Sequence, residues 1–362
     1  MKTRITRVAI HGAARNFNYG DILLMSLYKQ LLEKMGYEVL FDKANEYYGN
    51  FLNIKPNIGA LRLVTSCDCL IYAGGGYFGE PNKPSIRWYS KLLYYHLWIG
   101  ILFKLFNKPY SIIGAGFGPI TNLIIRKIVL YVFNGADIVS VRDDESATYL
   151  KVYGVKKFIY VIPDLALTIG LNHHKNDNLQ AGKRRLLLHV PLDNSNHFEK
   201  MCNLVASIYS RYKNKMLINF IIDHGIGENS AQSIFYKKLM DKIKIKINII
   251  CFNNPNETIE LLKSAEIILT TKLHMAITSY ALGVMPIGIS KHQKTIRFFK
   301  QINLEHLTFS LDSFSEKQVL LAIQQYKTHK LPNIKYLKWA DLNRNLISNF
   351  IQTCPKKVKP EN

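Results

Sequence analysis

The chain has 362 residues, 48% of them hydrophobic and 20% charged, a globular composition that excludes a disordered polymer. Its 48 Lys and Arg against 26 Asp and Glu leave a formal charge of +22. That balance favours an anionic partner: nucleic acid, anionic lipid, acidic glycan or a phosphorylated small molecule. Cys67, Cys69, Cys202, Cys251 and Cys354 show no C-x-x-C pair and no metal-ligand spacing, which speaks for a reducing compartment.

The opening MKTRITRVAI runs straight into a strand at residues 5–10, with no signal-peptide apolar core. Apolar spacing predicts a helix over 21–35, then strands at 39–41 and 69–73. A helix follows at 84–106, a strand at 110–113 and a helix at 122–133. The strand at 138–141, the helix at 144–152 and the strand at 158–162 complete a first alternating unit. Residues 172–182, NHHKNDNLQAG, break the pattern as a polar linker. The alternation restarts with strands at 185–190, 217–222, 245–251, 267–269 and 285–289. The expected fold is therefore α/β, with two tandem doubly wound Rossmann-like domains and an interdomain cleft. The boundaries are 1–171 and 183–334, with a C-terminal helix and tail over 335–362. Residues 81–136 hold no Asp or Glu but carry Lys83, Arg87, Lys91, Lys104, Lys108, Arg126 and Lys127. The apolar, aromatic window 92–106 is too short to span a bilayer and reads as a buried or a membrane-facing helix.

Chemistry-bearing residues cluster where strands end. Asn18, Gly20 and Asp21 lie in RNFNYGD between the first strand and helix, where a ligand or a plain Asp-capped turn fits. Gly74, Gly75 and Gly76 open AGGGYFGE. Gly74, Gly76 and Gly79 satisfy G-x-G-x-x-G, but no acid follows about 20 residues later, which excludes a dinucleotide site. Gly114, Gly116 and Gly118 repeat the pattern in IGAGFGPI. Both stretches read as glycine loops offering backbone N–H groups to an anion or sugar, or as a crowded sheet edge. Arg142 closes a strand in SVRDDES and suits a phosphate or carboxylate, unless it pairs with the acids beside it. Asp164 follows the next strand in VIPDLAL. In TTKLHMAITSYALGV, Thr270 or Thr271 would cap a helix, setting Lys272 and His274 in its first turn. A cation there is disfavoured by the helix dipole unless an anion docks on the same end.

NYGD, GGGYFG, GAGFGP, SVRDDES, PDLAL and KLHMAITSYALGVMPIGIS occur in the order seen in the polysaccharide pyruvyl transferase family. The resemblance covers residues 8–294. It implies a GT-B-like fold, with the acceptor in the N-terminal domain and the donor in the C-terminal one. It also implies transfer of the enolpyruvyl group of phosphoenolpyruvate onto a sugar of a cell-surface polysaccharide or its lipid-linked precursor. A pyruvate ketal forms and phosphate leaves. Arg142, Lys272, Leu273 and Lys294 then serve the donor, His274 acts as acid or donor contact, and Asp164 or Asp21 as base. The chain departs from the family at Lys272, where arginine is usual, and at 291–294, where only Lys294 matches Tyr-Asp-x-Lys. This chemistry requires no metal and no cofactor. The expected location is cytoplasmic, with peripheral contact at an anionic membrane and no nucleic-acid partner. Two alternatives stay open: a GT-B glycosyltransferase using a nucleotide sugar, and a non-catalytic basic homologue that binds glycan or membrane.

Overall fold

The computed structural model describes residues 6–13, 15, 18–81, 83–172, 184–190, 197–223, 230–326 and 332–354. Most of the predicted linker and residues 355–362 of the tail lie outside this set. The chain forms two compact units. The first comprises residues 1–16, 21–165 and 339–362, and the second 17–20 and 166–338. The division thus falls at 165/166, where the sequence suggested 171.

The first unit is built on a seven-stranded sheet ordered β2-β1-β3-β5-β6-β7, with β4 also paired to β5. Its strands are β1 Arg7–His11, β2 Glu38–Phe41, β3 Cys69–Tyr72, β4 Gly75–Phe78, β5 Tyr110–Phe117, β6 Val139–Val141 and β7 Ile159–Val161. Every pairing among them is parallel. Continuous apolar runs such as Cys69–Tyr72 are buried along their whole length, the pattern of a sheet covered on both faces. In the core Phe133 meets Phe78 and Phe117 edge to face, at 5.1 and 5.5 Å, while Phe78 and Phe117 stack on each other at 6.4 Å.

Two strands correct the glycine-loop reading. The stretch 75–78 is itself a strand, and β5 runs on to Phe117 rather than stopping at 113. Gly114 adopts φ 71, and the β5–β6 register shifts between Ile112 and Ala115. Glycine is needed for that bulge. A Cβ at Gly74 would lie 3.0 Å from the Gly114 carbonyl oxygen. These glycines therefore allow backbones to approach. The Tyr28 hydroxyl joins both stretches, donating to Ile113 O and accepting from Gly74 N. The C-terminal helix Leu342–Thr353 returns to this unit, where Asn343 Nδ2 donates to Pro163 O at 2.6 Å.

The second unit carries a six-stranded parallel sheet ordered β10-β9-β8-β11-β12-β13. The strands are β8 Arg184–His189, β9 Met216–Ile221, β10 Asn248–Ile250, β11 Ile267–Thr270, β12 Met285–Ser290 and β13 Thr308–Ser310. The short edge strand β13 was not anticipated. Among the described residues no helix is long and apolar enough to cross a membrane.

Candidate active site

In an open parallel sheet the strands' C-terminal ends expose a ring of loops and helix starts, where ligands bind. Each unit gathers polar side chains there.

In the second unit, β11 ends at Thr270 and the helix Leu273–Ala281 begins. Neither threonine is the cap. Lys272 holds that place, with φ −109 and ψ 133 and no side-chain capping bond. Thr270 Oγ1 instead accepts from Lys272 N at 3.1 Å, which fixes the turn. Leu273 is buried at the first helical position, and His274 follows in the first turn.

The NYGD motif meets this turn. Asn18 Oδ1 accepts from Gly20 N at 2.9 Å, and the helix Tyr19–Lys34 starts there, with Asp21 in its first turn rather than capping it. Tyr19 is fully buried, donating through its hydroxyl to Thr278 Oγ1 and through its amide to Asp223 O. A Cβ on Gly20 would overlap the imidazole of His274. Only glycine at 20 lets the first helix begin against that ring. Two motifs more than 250 positions apart in sequence thus form one corner.

A buried network missed in the sequence supports this corner. His189, at the end of β8, and Asp223, just past β9, are 1% and 2% exposed. His189 Nε2 donates to Asp223 Oδ1 at 2.8 Å, and its Nδ1 faces Thr271 Oγ1 at 3.1 Å. The Gln232 amide lies 2.9 Å from His189 Nε2 and donates to the Tyr236 hydroxyl. Asp223 Oδ2 is 3.6 Å from Lys272 Nζ, so the carboxylate steers the ammonium while the helix end repels it. The available signal was one polar residue closing each apolar strand, in LLLHV and NFIID.

The end of β12 adds charge. His292 N donates to Ser290 Oγ at 3.0 Å. Burial, then the charges of Lys294, Lys272 and Lys291, push the His292 imidazole below its ordinary pKa. Lys272, Lys291 and Lys294 thus lie close enough to His292 to act on it, with Asp223 at 3.6 Å from Lys272 Nζ and Asp312 at 3.8 Å from Lys291 Nζ as counter-charges.

In the first unit, Arg142 and Asp164 come together. Arg142, just past β6, is 5% exposed and donates through Nη1 to Asp164 Oδ2 at 3.3 Å. Its Nε lies 3.9 Å from Asp143, the residue that caps the next helix by accepting from Ser146 N. A Cβ on Gly116 would come within 2.7 Å of the guanidinium, so Gly116 makes room for Arg142. Gly118 packs on Gly79 in the same way, while Gly75 is buried and Gly76 exposed. The pairing of Arg142 with acids, weighed from the sequence, is present, and Asp164 is nearer to the guanidinium than Asp143.

A sequence model of the polysaccharide pyruvyl transferase family matches residues 18–292. No curated protein sequence matches the chain. Among solved structures, UDP-GlcNAc 2-epimerase from Methanocaldococcus jannaschii superposes with a TM-score of 0.66 at 14% identity, over 96% of this chain and 100% of that one. UDP-GlcNAc 2-epimerase from Neisseria meningitidis, solved with UDP-GlcNAc, gives 0.59 at 11% identity over 96% and 100%. MurG from Acinetobacter baumannii gives 0.55 at 10% identity over 97% and 100%. These neighbours share the GT-B fold, two parallel-sheet α/β domains.

Proposed function

The chain belongs to the polysaccharide pyruvyl transferase family and is a transferase, and from that premise we propose that it moves the enolpyruvyl group of phosphoenolpyruvate onto a sugar of a surface polysaccharide or its lipid-linked precursor. The observation that carries this reading is the corner around Lys272 and His274. Lys272, Lys291 and Lys294 lie near enough to His292 to act on its charge, and at the start of the helix Leu273–Ala281 a glycine is kept against an imidazole. Phosphoenolpyruvate carries both a phosphate and a carboxylate, so several fixed cations are what it needs. Lys272 and Lys294 meet those charges, and Leu273 holds the turn. His274 protonates the enol carbon and leaves an oxocarbenium-like centre for a sugar hydroxyl to attack. A second hydroxyl then closes the ketal and phosphate departs. Arg142 with Asp164, and Asn18 with Gly20, shape the strand ends. The glycines 74, 75, 76, 114, 116 and 118 belong to or border the strands β4 and β5 and let those backbones and Arg142 pack. The test is ³¹P NMR of purified protein with phosphoenolpyruvate and a glycan acceptor, with conversion to inorganic phosphate expected.

The acceptor's setting follows from the acid-free stretch 81–136. Ile86, Leu123 and Ile124 are 86%, 66% and 71% exposed. They lie at the starts of two helices joined by Tyr89 Oη and Thr121 Oγ1 at 3.1 Å. Exposed Lys83, Arg87 and Lys127 flank them. Exposed apolar tips beside these cations suit an anionic bilayer carrying lipid-linked glycans, although the Glu80 carboxylate also sits at the junction, accepting from the Tyr89 hydroxyl and Thr121 N. The protein is expected to sediment with phosphatidylglycerol vesicles at low salt, and Ile86→Asp with Leu123→Asp and Ile124→Asp to abolish that. Wild-type protein remaining in the supernatant would contradict it.

A further inference from the structure

The aromatic window 92–106, readable from the sequence as a buried or a membrane-facing helix, is both. The helix Ile86–Lys91, the π-helical turn Leu92–Leu97 and the helix Trp98–Leu105 follow one another without a break. Leu92, Leu97, Ile99, Leu102 and Phe103 fill the core of the first unit. Tyr94, Trp98 and Leu105 are 59%, 40% and 62% exposed. Folding requires only the inner side of such a helix to be apolar. Trp98 and Leu105 stand about two turns apart and so share the outer side.

The π turn decides which side faces out. His96 is turned inward, its Nδ1 2.9 Å from His11 Nε2, and His11 Nδ1 lies 2.8 Å from the buried Asp42 Oδ2. The Tyr72 hydroxyl donates to His96 O at 2.8 Å. Tyr94 and Trp98 stand two residues to either side of His96, which turns them away from that anchor. The neighbouring helix Leu123–Gly135 continues the surface. Lys104 Nζ sits 3.5 Å above the Tyr131 ring and donates to Tyr131 O, so the outer sides of the two helices adjoin.

Charge sets this face apart. Neither the helical run 86–105 nor Leu123–Gly135 contains an Asp or Glu. In contrast, Tyr19–Lys34 carries Asp21 and Glu33, and Asp144–Tyr153 opens on Asp144 and Glu145. Arg87, Lys91 and Lys127 are exposed, and Lys43 Nζ lies 4.0 Å over the Tyr94 ring. The acids that border these helices in sequence are engaged: Glu80 with the Tyr89 hydroxyl and Thr121 N, and Asp137 with Tyr110 N at 3.0 Å. A second copy docked here would set cations against their equals with no acid on these helices to answer them. An anionic bilayer answers both features. Tryptophan and tyrosine rings favour the headgroup level, and lysine stems follow apolar surface while their ammonium groups reach phosphate.

We propose that the outer sides of the run 86–105 and of Leu123–Gly135 lie along an anionic bilayer, with Tyr94, Trp98, Leu105 and Tyr131 at headgroup level. The proposal rests on the membrane setting proposed above and not on the transfer chemistry. Docking through Ile86, Leu123 and Ile124 needs only the helix starts; this contact lays both helices along the membrane plane.

Vesicles of dibrominated phosphatidylglycerol read the contact, because bromine quenches tryptophan only at the bilayer. Wild-type emission is expected to fall with these vesicles, and Trp98→Phe to lose most of that fall, since Trp88 packs on the core. Trp98→Glu with Leu105→Glu is expected to weaken vesicle partition about tenfold or more while the melting temperature holds, both side chains being exposed. Neutral phosphatidylcholine vesicles are expected to bind far more weakly. Quenching that survives Trp98→Phe but is lost with the Ile86, Leu123 and Ile124 changes means that the helix starts dock alone, and overturns the proposal. So does a double variant that partitions like wild type, or sedimentation velocity showing a dimer that the double variant splits. Trp98-dependent quenching in a protein that turns over no phosphoenolpyruvate supports this face and counts against the transfer reading alone.

Discussion

Changing Lys272 and His274 together to alanine is expected to lower phosphoenolpyruvate-dependent phosphate release by about 10³-fold or more, the combined loss of a charge clamp and a proton donor. The two changes separate kinetically. Lys272→Ala removes a cation already steered by Asp223 at 3.6 Å, and raises KM for phosphoenolpyruvate more than it lowers kcat. His274→Ala lowers kcat, because a proton transfer acts only in the transition state. Lys272→Arg restores the fork usual in the family and is expected to keep activity. Initial rates from a coupled phosphate assay measure all three. Unchanged rates in the double variant would place the chemistry elsewhere.

Asp164→Ala is expected to destabilise the protein by about 3–5 kcal/mol, because it removes the nearer of the two carboxylates beside the buried Arg142 guanidinium. Equilibrium urea unfolding measures the loss. Exposure is 5% for Arg142 and 4% for Asp164, so solvent offers little relief. Arg142→Met combined with Asp164→Leu removes both charges and is expected to recover most of the stability. A single Asp164→Ala variant as stable as wild type would show that Asp143, 3.9 Å from Arg142, suffices as counter-charge.

The fold was legible where parallel sheets write plainly. Cys69–Tyr72 and Ile267–Thr270 are uninterrupted apolar runs because helices cover both sheet faces. It was not legible where glycine carries a strand. Gly75–Phe78 and the end of β5 read as loops because glycine is rare in strands. Here the backbone approach of Gly74 to Gly114, and the guanidinium against Gly116, exclude any side chain. Thr270 looked like a helix cap, but its hydroxyl bonds Lys272 N two residues on, and the cap moved to Lys272.

The site was half legible for a similar reason. Lys272 and His274 drew notice because a cation conflicts with a helix start, a local conflict visible in one segment. His189, Asp223, His11 and Asp42 each end an apolar strand and carry no local conflict. Their meaning lies in pairs such as His189 with Asp223, made by neighbouring strands far apart in sequence. Gly20 likewise gained its reason only from His274.

The most direct measurement is ³¹P NMR of the purified protein with phosphoenolpyruvate and lipid-linked or oligosaccharide acceptors. The phosphoenolpyruvate resonance is expected to give way to inorganic phosphate only when acceptor is present, with one carboxyl ketal gained per phosphate released. Phosphoenolpyruvate persisting with every acceptor, while a nucleotide sugar is consumed, would contradict pyruvyl transfer.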